Sequence, residues 1–252
     1  MINLILSGCN GKMGQVIARL VSEDESARIV CGYDVNTERR NSFPVLNDLT
    51  QFDGHADAVI DFSNPDSLGD LLDYSEKTGV PLVIATTGLN TEQIARLAEH
   101  AKKVPVFCSA NMSLGVNLLV SLVKKAASIL EGNFDIEIIE KHHNQKIDAP
   151  SGTALMIADE ITSSLKEGAD YVYDRHCVRK KRDKHEIGIH SVRGGTIVGE
   201  HEVLFAGTDE LISISHTAMS KEIFAVGAIR AAKFLAGKQP GFYTMEDLIE
   251  LS

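Results

Sequence analysis

A glycine-rich turn between an apolar strand and a helical pattern constrains the fold more than any other feature of the sequence. Residues Asn3 to Ser7 are predicted to form a buried strand, and Gly8, Gly11 and Gly14 follow it in the spacing G-x-x-G-x-x-G. Apolar residues then recur with a helical period at Val16, Ile17, Leu20 and Val21. A second predicted strand ends at Asp34. Strand, glycine turn, helix and acidic residue in this order indicate a dinucleotide-binding βαβ unit.

The acidic residue bears on the choice of cofactor. The Asp34 carboxylate suits the ribose hydroxyls of NAD and repels a 2′-phosphate. Asn36, Arg39 and Arg40 follow closely and can compensate for that charge, so NADH, NADPH or both are candidates. The glycine spacing differs from G-x-G-x-x-G, and a generic turn between strand and helix is therefore the alternative interpretation.

Further strand patterns alternate with helical ones, at Ala58 to Ser63, Pro81 to Gly88 and Val104 to Asn111. Such alternation predicts a Rossmann-like parallel sheet, in which ligands bind at the carboxyl ends of the strands. The small residues at these strand ends are expected to line the nicotinamide half of the site. They are Ser63, Thr86, Thr87, Ser109, Ala110 and Asn111. Any one of them alone can equally be a capping residue.

The middle of the chain changes from a helical to an alternating pattern. A helix is predicted from Leu114 to Leu130, with one buried face made of Leu118, Leu119, Leu122, Val123, Ala126, Ile129 and Leu130. After Gly132 every second residue shares a face, which holds Phe134, Ile136, Ile138, Glu140 and His142. His143 falls on the other face, so the two adjacent histidines are expected to have different roles.

The stretch from Glu140 to Ala154 concentrates the chemistry of the sequence. It contains the two histidines, Lys146 and a turn of small residues, Ser151 to Thr153, that opens a helix predicted from Gly152 to about Leu165. The free amide groups at a helix start bind anions, so these groups can converge on a negatively charged substrate. The stretch holds no hydride source. We expect the cofactor bound by the nucleotide-binding part of the chain to supply the hydride.

The sequence after residue 185 is predicted to complete a second sheet. Strands from Glu186 to Arg193 and from Thr196 to Phe205 are separated by Gly194-Gly195, a hairpin signal, and Leu211 to Thr217 forms another strand. The predicted helices can cover only one face of this sheet. Its exposed apolar face therefore predicts an oligomer.

These patterns predict an α/β protein of two domains. Residues 1–113 with 222–252 form the dinucleotide-binding domain, to which two terminal helices return. The first runs from Ile223 to Leu235, and the short second one is opened by Thr244 with Asp247 as its capping box. Residues 114–221 form an α+β domain with a mixed or antiparallel sheet, which binds substrate and packs in an oligomer.

Composition argues against several classes of protein. A formal charge of −10 opposes a general affinity for nucleic acid. No apolar run approaches the roughly 18 residues of a membrane span, and the first residues do not have the pattern of a signal peptide. The widely spaced cysteines predict no metal site and are expected to be small buried residues in a reducing cytoplasm. They are Cys9, Cys31, Cys108 and Cys177. The basic run from Arg179 to Lys184 is expected to be a solvated loop rather than a polyanion site.

Several stretches together resemble one known family, 4-hydroxy-tetrahydrodipicolinate reductase, also called dihydrodipicolinate reductase, of the bacterial diaminopimelate–lysine pathway. The resemblance covers nearly the whole chain, and Glu140 to Ala154 is similar to the family's signature. The other matching stretches are Gly8 to Gly14, Ile60 to Ser63, Thr86 to Gly88, Ala110 to Asn117 and Arg193 to His201.

The resemblance implies hydride transfer from NADH or NADPH to a small cyclic dicarboxylate that contains an imine. It also implies that His142 donates a proton, that Lys146 binds and polarises the substrate, that His143 assists, and that the Gly152 and Thr153 amides hold a carboxylate. A hydride adds negative charge to a conjugated imine, and histidine can supply the compensating proton near neutral pH. The implied assembly is a homotetramer. The implied cofactor site comprises Gly8, Asn10, Gly11, Lys12, Met13, Asp34, Ala85, Thr86, Thr87, Ser109, Ala110, Asn111 and Met112.

The sequence departs from the family pattern in places. Asn10 stands where many members carry a further glycine, and Val35 stands where several have a basic residue that meets the 2′-phosphate. Lys221 lies near the position of a substrate-side arginine in some members. Glu140 either orients the site from behind or serves as a surface or ion-pair residue.

Other functions fit parts of the pattern. A different two-domain dehydrogenase would act on a sugar or an amino-acid semialdehyde. A dinucleotide-sensing regulator would bring Arg179 to Lys184 to DNA, although the absence of a predicted helix-turn-helix counts against it.

Overall fold

The computed structural model describes residues 1–39 and 41–250. The chain divides into two units, one comprising Met1–Leu114 with Glu222–Ser252 and the other comprising Gly115–Lys221. Arg40, one of the cations considered for the choice of cofactor, lies outside the described residues.

The first unit begins with strands and helices in alternation. Its elements up to residue 108 are β1 (Ile2–Ser7), α1 (Lys12–Ser22), β2 (Ala27–Tyr33), β3 (Val45–Leu46), β4 (Ala58–Asp61), α2 (Leu68–Thr78), β5 (Leu82–Ile84), α3 (Thr91–His100) and β6 (Pro105–Cys108). The sequence pattern predicts all of these except β3, which is two residues long and too short to carry a periodic signal.

The second unit contains two helices and a second sheet. Its elements are α4 (Leu114–Leu130), β7 (Asp135–His142), α5 (Gly152–Ser164), β8 (Asp170–Val172), β9 (Glu186–Arg193), β10 (Gly199–Ala206) and β11 (Leu211–Ala218). The chain then adds α6 (Glu222–Leu235), β12 (Gly241–Tyr243) and α7 (Met245–Glu250) to the first unit. The Thr244 N–H donates to the Asp247 carboxylate at 2.7 Å, so the predicted cap of α7 is present.

The first sheet is parallel throughout, which confirms the Rossmann-like prediction. Its strand order is β12-β6-β5-β4-β1-β2-β3. The chain moves outward from β1 through β2 to β3 and then returns to β4 on the other side of β1. The reversal places a crevice at the carboxyl ends of β1 and β4, where sheets of this kind bind dinucleotides.

The second sheet is mixed, but its connection at Gly194-Gly195 is not the predicted hairpin. The strand order is β11-β10-β7-β9-β8, so β7 lies between the two strands that the glycines join. β7 pairs in parallel with β9 and antiparallel with β10. The glycines instead bind the end of β7, because the Gly194 N–H donates to the His142 carbonyl at 2.9 Å. A glycine pair between two strands predicts a turn, and it does not specify whether a third strand is inserted.

The strand β7 has the predicted alternation. Ile136, Ile138, Glu140 and His142 are all buried, and the residues between them are only partly buried. The isoleucines join one core with apolar residues of α5, β9 and β10. The same face therefore continues from hydrophobic core into the two polar residues of the candidate site.

The helix α4 differs from its predicted single buried face. Its buried residues are Val116, Leu119, Val123 and Ala127, which lie on one stripe. Leu118 and Leu122 are each 48% exposed and Ile129 is 66% exposed. The helix carries apolar residues around more than half of its circumference, and only one side packs on the sheet.

The cysteines are free thiols, and their burial varies. Cys9 and Cys31 are buried and Cys108 is partly buried, but Cys177 is exposed, so the expectation that all would be buried is wrong for Cys177. Cys177 lies in a turn between strands, where no apolar pattern predicts burial. None of the helices in the described ranges is both long and apolar enough to cross a membrane.

Candidate active site

The glycine turn brings the start of α1 close to the end of β1. Gly8 has a φ of +74°, and a Cβ at Gly14 would lie 2.1 Å from the Gly8 carbonyl oxygen. Only glycine permits this approach of helix to strand. Within the described chain, the α1 N-cap residue Gly11 makes no side-chain cap and the first turn holds no acidic residue. The helix start can therefore receive a pyrophosphate.

Asp34 lies at the end of β2 beside this turn. Its two carboxylate oxygens accept the backbone N–H groups of Asn10 at 2.9 Å and Asn36 at 3.0 Å. It borders a cavity of about 330 Å³ that Gly8, Val35 and Ser63 also line. Among the described residues lining this cavity there is no lysine or arginine. A cradle of glycine backbone with one anionic side chain fits the phosphates and ribose of a dinucleotide.

The Asn10 side chain fills the position that the family pattern gives to glycine. Its amide donates to the Asn36 carbonyl at 2.5 Å and its oxygen accepts from Asn41 at 2.9 Å. Gln15 of α1 also donates to Asn41 at 3.0 Å. Asn10 therefore ties the glycine turn to the loop after β2, and a bare glycine cannot make these contacts.

The ends of β4 and β5 meet through a buried carboxylate that the sequence analysis did not include in the site. Asp61 is 2% exposed, and it accepts the Thr86 hydroxyl at 2.7 Å. The Ser63 N–H donates to the same Thr86 oxygen at 3.0 Å, so these two predicted residues are together. Burial raises the pKa of Asp61, and its hydrogen bonds oppose that shift. In the sequence, an aspartate within an otherwise apolar strand was the feature that could have identified Asp61 as a site residue.

The predicted residues after β5 and β6 differ in exposure. Thr87 and Ala110 are exposed, whereas Ala85 and Met112 are 6% and 1% exposed and place their side chains in the hydrophobic core. Ser109 donates to the Asn111 carbonyl at 2.9 Å. Lys12 and Met13 open α1 beside the glycine turn.

His142 ends β7 as a buried side chain. Its Nδ1 lies 2.6 Å from the Glu140 carboxylate, and it is 8% exposed. A Cβ added to Gly199 would lie 3.1 Å from the His142 Nε2, so the glycine gives this nitrogen room. His143 follows the strand and is partly buried. The two adjacent histidines thus have different surroundings.

Glu140 is fully buried and ion-paired, so its surface alternative is wrong. The Arg193 guanidinium donates to both carboxylate oxygens, at 2.7 and 2.8 Å. Burial alone would raise the pKa of Glu140. Hydrogen bonds from Arg193 and His142 outweigh it and lower that pKa to about 2.

The helix start of α5 is held by buried side chains. Ser151 caps it by accepting the Ala154 N–H at 3.1 Å, and the Ser151 hydroxyl lies 3.0 Å from Nε2 of His201. Gly152 is exposed, and a Cβ there would meet nothing within 4 Å. Burial and the charge of His142 lower the pKa of His201 to about 4, so its ring is neutral near pH 7. His201 is not among the predicted site residues, because a lone histidine in a strand has no pattern of its own.

Lys146 lies in the loop between β7 and α5. Its ammonium group is 2.8 Å from Asp148, and its side chain is 21% exposed. Thr153 follows Gly152 in the first turn of α5 and is partly buried. The second unit therefore holds all the predicted substrate residues along one stretch of chain. Lys221 is exposed one residue before α6.

The basic run is partly neutralised. Arg182 is 17% exposed and binds Asp135 at 2.9 Å and Glu137 at 3.0 Å, while Lys180 binds Glu186 at 3.1 Å. The expectation of a solvated loop is therefore wrong for Arg182, because the carboxylates of Asp135 and Glu137 on β7 bind its guanidinium.

Comparison with known proteins identifies relatives along the full length. Residues 2–112 match the family "Dihydrodipicolinate reductase, N-terminus" and residues 115–249 match "Dihydrodipicolinate reductase, C-terminus". The chain is 56% identical over 250 residues to a 4-hydroxy-tetrahydrodipicolinate reductase of Caldanaerobacter subterraneus subsp. tengcongensis, covering 99% of both chains. A protein of the same name from Clostridium novyi is 50% identical, again covering 99% of each. A dipicolinate-bound dihydrodipicolinate reductase from Paenisporosarcina sp. TG-14 is similar in structure, with a TM-score of 0.82, 25% identity and coverage of 98% of this chain and 99% of that one.

Proposed function

The chain belongs to the dihydrodipicolinate reductase family, and from this premise we propose how its residues carry out the reaction. It is an oxidoreductase that uses NADH or NADPH to reduce 4-hydroxy-tetrahydrodipicolinate on the diaminopimelate route to lysine. The observation that carries the assignment of roles is the Glu140–His142 pair beside the helix start of α5.

The substrate carboxylates are bound by the stretch from Lys146 to Thr153. Lys146 offers an ammonium group, and the start of α5 offers the amides of Gly152 and Thr153. A carboxylate is favoured by both, because helix N-termini and ammonium groups attract anions. The dipicolinate bound by the structural relative is a small dicarboxylate, which supports a ligand of this shape.

His142 donates the proton. Bound NADH or NADPH supplies the hydride, which adds to the conjugated imine and leaves negative charge that a proton must neutralise. The Nδ1 of His142 is held by Glu140 at 2.6 Å, so its Nε2 is the nitrogen that can release a proton to the substrate. His143 assists in binding, and Lys146 polarises the substrate.

The cofactor is held by the first unit. Gly8, Asn10, Gly11, Lys12 and Met13 bind the pyrophosphate, and Asp34 binds the adenosine ribose. The nicotinamide half is bound at the ends of β5 and β6, by backbone groups where the side chain is buried and by side chains where it is exposed. These residues are Ala85, Thr86, Thr87, Ser109, Ala110, Asn111 and Met112. Residues 1–113 with 222–252 thus serve as the dinucleotide-binding domain, and residues 114–221 bind substrate.

The second domain also mediates assembly into a homotetramer. Val192, Leu211 and Ile212 are 45%, 61% and 37% exposed on strands of the mixed sheet. Exposed apolar side chains on a sheet that helices cover on one face support burial of the other face against a second copy of the chain. Sedimentation analysis tests the tetramer, and a monomer at micromolar concentration would contradict it. We place the enzyme in the cytoplasm, where its free thiols are compatible with a reducing environment.

A steady-state assay tests the activity directly. Oxidation of NADH and NADPH would be followed with freshly formed 4-hydroxy-tetrahydrodipicolinate, and separately with an amino-acid semialdehyde and a sugar. Turnover is expected only with the cyclic imine. Activity confined to a semialdehyde would overturn the proposed roles.

A further inference from the structure

One buried carboxylate connects the proton donor to the carboxylate-binding turn. Glu140 accepts from Nδ1 of His142 at 2.6 Å, and it also accepts the backbone N–H of Ser151 at 3.1 Å. It also accepts from Arg193, at 2.7 and 2.8 Å, and from the Ser191 side chain. The Glu140 side chain is 0% exposed, so these bonds are sheltered from water.

We propose that Glu140 is a positioning residue that aligns His142 with the Ser151–Thr153 turn, and that Arg193 weakens the attraction between Glu140 and the protonated His142 ring. His142 then releases its proton to the substrate more readily. The inference rests on the proposed function, because it requires His142 as the proton donor. A carboxylate that accepts the Nδ1–H fixes the tautomer and the ring orientation, which leaves Nε2 to donate. Its bond to the Ser151 N–H fixes the start of α5 at the same time.

Two backbone carbonyls hold the Arg193 guanidinium in place beside Glu140. Its guanidinium also donates to the carbonyls of Val192 at 2.8 Å and Asp148 at 2.6 Å. Both ends of its fork are therefore occupied within the protein. A carboxylate stabilises an adjacent imidazolium, and a cation on the same carboxylate weakens that effect. Arg193 thus makes His142 a more ready donor than a Glu–His pair alone.

Other titratable groups surround this cluster. His201 on β10 contacts the His142 ring edge-on with centroids 5.2 Å apart, and its lowered pKa keeps it neutral near pH 7. His216 faces His201 in the strand pairing, and Lys146 lies in the loop after β7. Within the described chain none of these three side chains hydrogen-bonds to the Glu140 carboxylate, so Glu140 and Arg193 can be varied without removing them.

The test is the pH dependence of kcat in two variants. Glu140→Gln removes the negative charge, so the alkaline limb of the plot of kcat against pH should move to lower pH. In this variant kcat should also fall about 10-fold to 100-fold and the substrate KM should rise. Arg193→Met leaves the carboxylate without its cation, so the alkaline limb should move to higher pH. Loss of structure alone would lower activity without moving the two limbs in opposite directions.

The same strand offers a matched control. Glu137 of β7 accepts from Arg182 at 3.0 Å and from His190 at 2.7 Å, which repeats the carboxylate, arginine and histidine grouping on the opposite face. Glu137→Gln and Arg182→Met should keep the wild-type pH profile. If Arg193→Met does not fold by circular dichroism, Arg193→Gln replaces it. Glutamine is neutral but can still donate hydrogen bonds, so the alkaline limb of this variant should also move to higher pH, while that of Glu140→Gln moves to lower pH.

Failure of this inference can be told from failure of the proposed function. A near-normal kcat in His142→Gln would show that His142 is not the proton donor, and the proposed function would fail. If His142→Gln is impaired but the limbs of the folded Glu140 and Arg193 variants stay in place or move in the same direction, only the coupling proposed here is overturned. The double variant His142→Gln/Glu140→Gln should have the same kcat as His142→Gln, because Glu140 acts on the proton that His142 donates.

Discussion

The carboxylate of Asp148 lies 2.8 Å from the ammonium nitrogen of Lys146, four residues before the helix start that is proposed to hold a substrate carboxylate. Hydrogen bonding to Lys146 lowers the pKa of Asp148. The free protein thus already presents a carboxylate to the group that is expected to bind one. A substrate carboxylate must share or replace this partner.

Substitutions of the pair should change the substrate KM in opposite directions. Lys146→Ala removes the cation, and we expect KM to rise at least about 10-fold because a charge-assisted hydrogen bond is lost. Asp148→Asn removes the competitor. Asp148 is 57% exposed, so the gain should be no more than about 5-fold in KM, in line with about 1 kcal/mol for a solvated ion pair. Steady-state kinetics at saturating NADH measures both. A KM in Asp148→Asn raised as far as in Lys146→Ala would mean that Asp148 orients Lys146.

His142→Gln should separate chemistry from cofactor binding. Glutamine keeps a polar side chain but cannot donate a proton as an imidazolium, so kcat should fall by about 10² to 10⁴. The dissociation constant of NADH, measured by fluorescence titration, should change little. His190→Gln is the control, because His190 lies in the same sheet and its ring bonds to Glu137. A comparable loss in the control would assign the effect to the sheet and not to the proton donor.

Asp34 should discriminate between the two cofactors. Its carboxylate is the anionic group beside the cavity, and Asp34→Ala should weaken NADH by about 10-fold to 100-fold, as expected for hydrogen bonds to a charged group. NADPH should lose less, because its 2′-phosphate no longer meets a like charge. Asp34→Asn, which keeps an acceptor for the Asn10 and Asn36 N–H groups, controls for loop distortion. Equal losses for both cofactors in both variants would show that Asp34 does not bind the ribose.

Local periodicity was enough to predict the parallel sheet and the burial of β7. The run from Ile136 to His142 has a period of two, and each residue on that face is buried. The order of the strands in the second sheet could not be predicted in this way, because strand pairing depends on distant parts of the chain. Gly194-Gly195 is a local hairpin pattern, yet β7 occupies the position between the two strands.

The partners of the site residues were likewise hidden from the sequence. Arg193 lies 53 positions from Glu140, and no spacing rule links them. Asp61 was visible as a charge in an apolar strand, but its bond to Thr86 depends on the neighbouring strand. Residue types predicted the chemistry of the stretch from Glu140 to Ala154. Tertiary packing decided which buried groups support it.

The buried ring of His201 should make the protein sensitive to mild acid. Its pKa is lowered from 6.5 to about 4 by burial and by the charge of His142. The unfolded chain therefore binds a proton at higher pH than the folded chain does. The stabilising contribution of the neutral ring is complete above about pH 6.5 and is lost progressively as the pH falls towards 4.

Urea unfolding at several pH values between 7 and 4 would measure this contribution. His201→Gln should be less stable than wild type at pH 7, because the bond between Ser151 and His201 is perturbed. The free energy that wild type loses on acidification should be smaller in the variant, by up to about 3 kcal/mol, since one pKa unit corresponds to about 1.4 kcal/mol. His185→Gln is the control, because His185 is 55% exposed. Parallel stability curves for wild type and His201→Gln would contradict the buried neutral ring, whereas a flatter curve in His201→Gln alone would assign the acid sensitivity to His201.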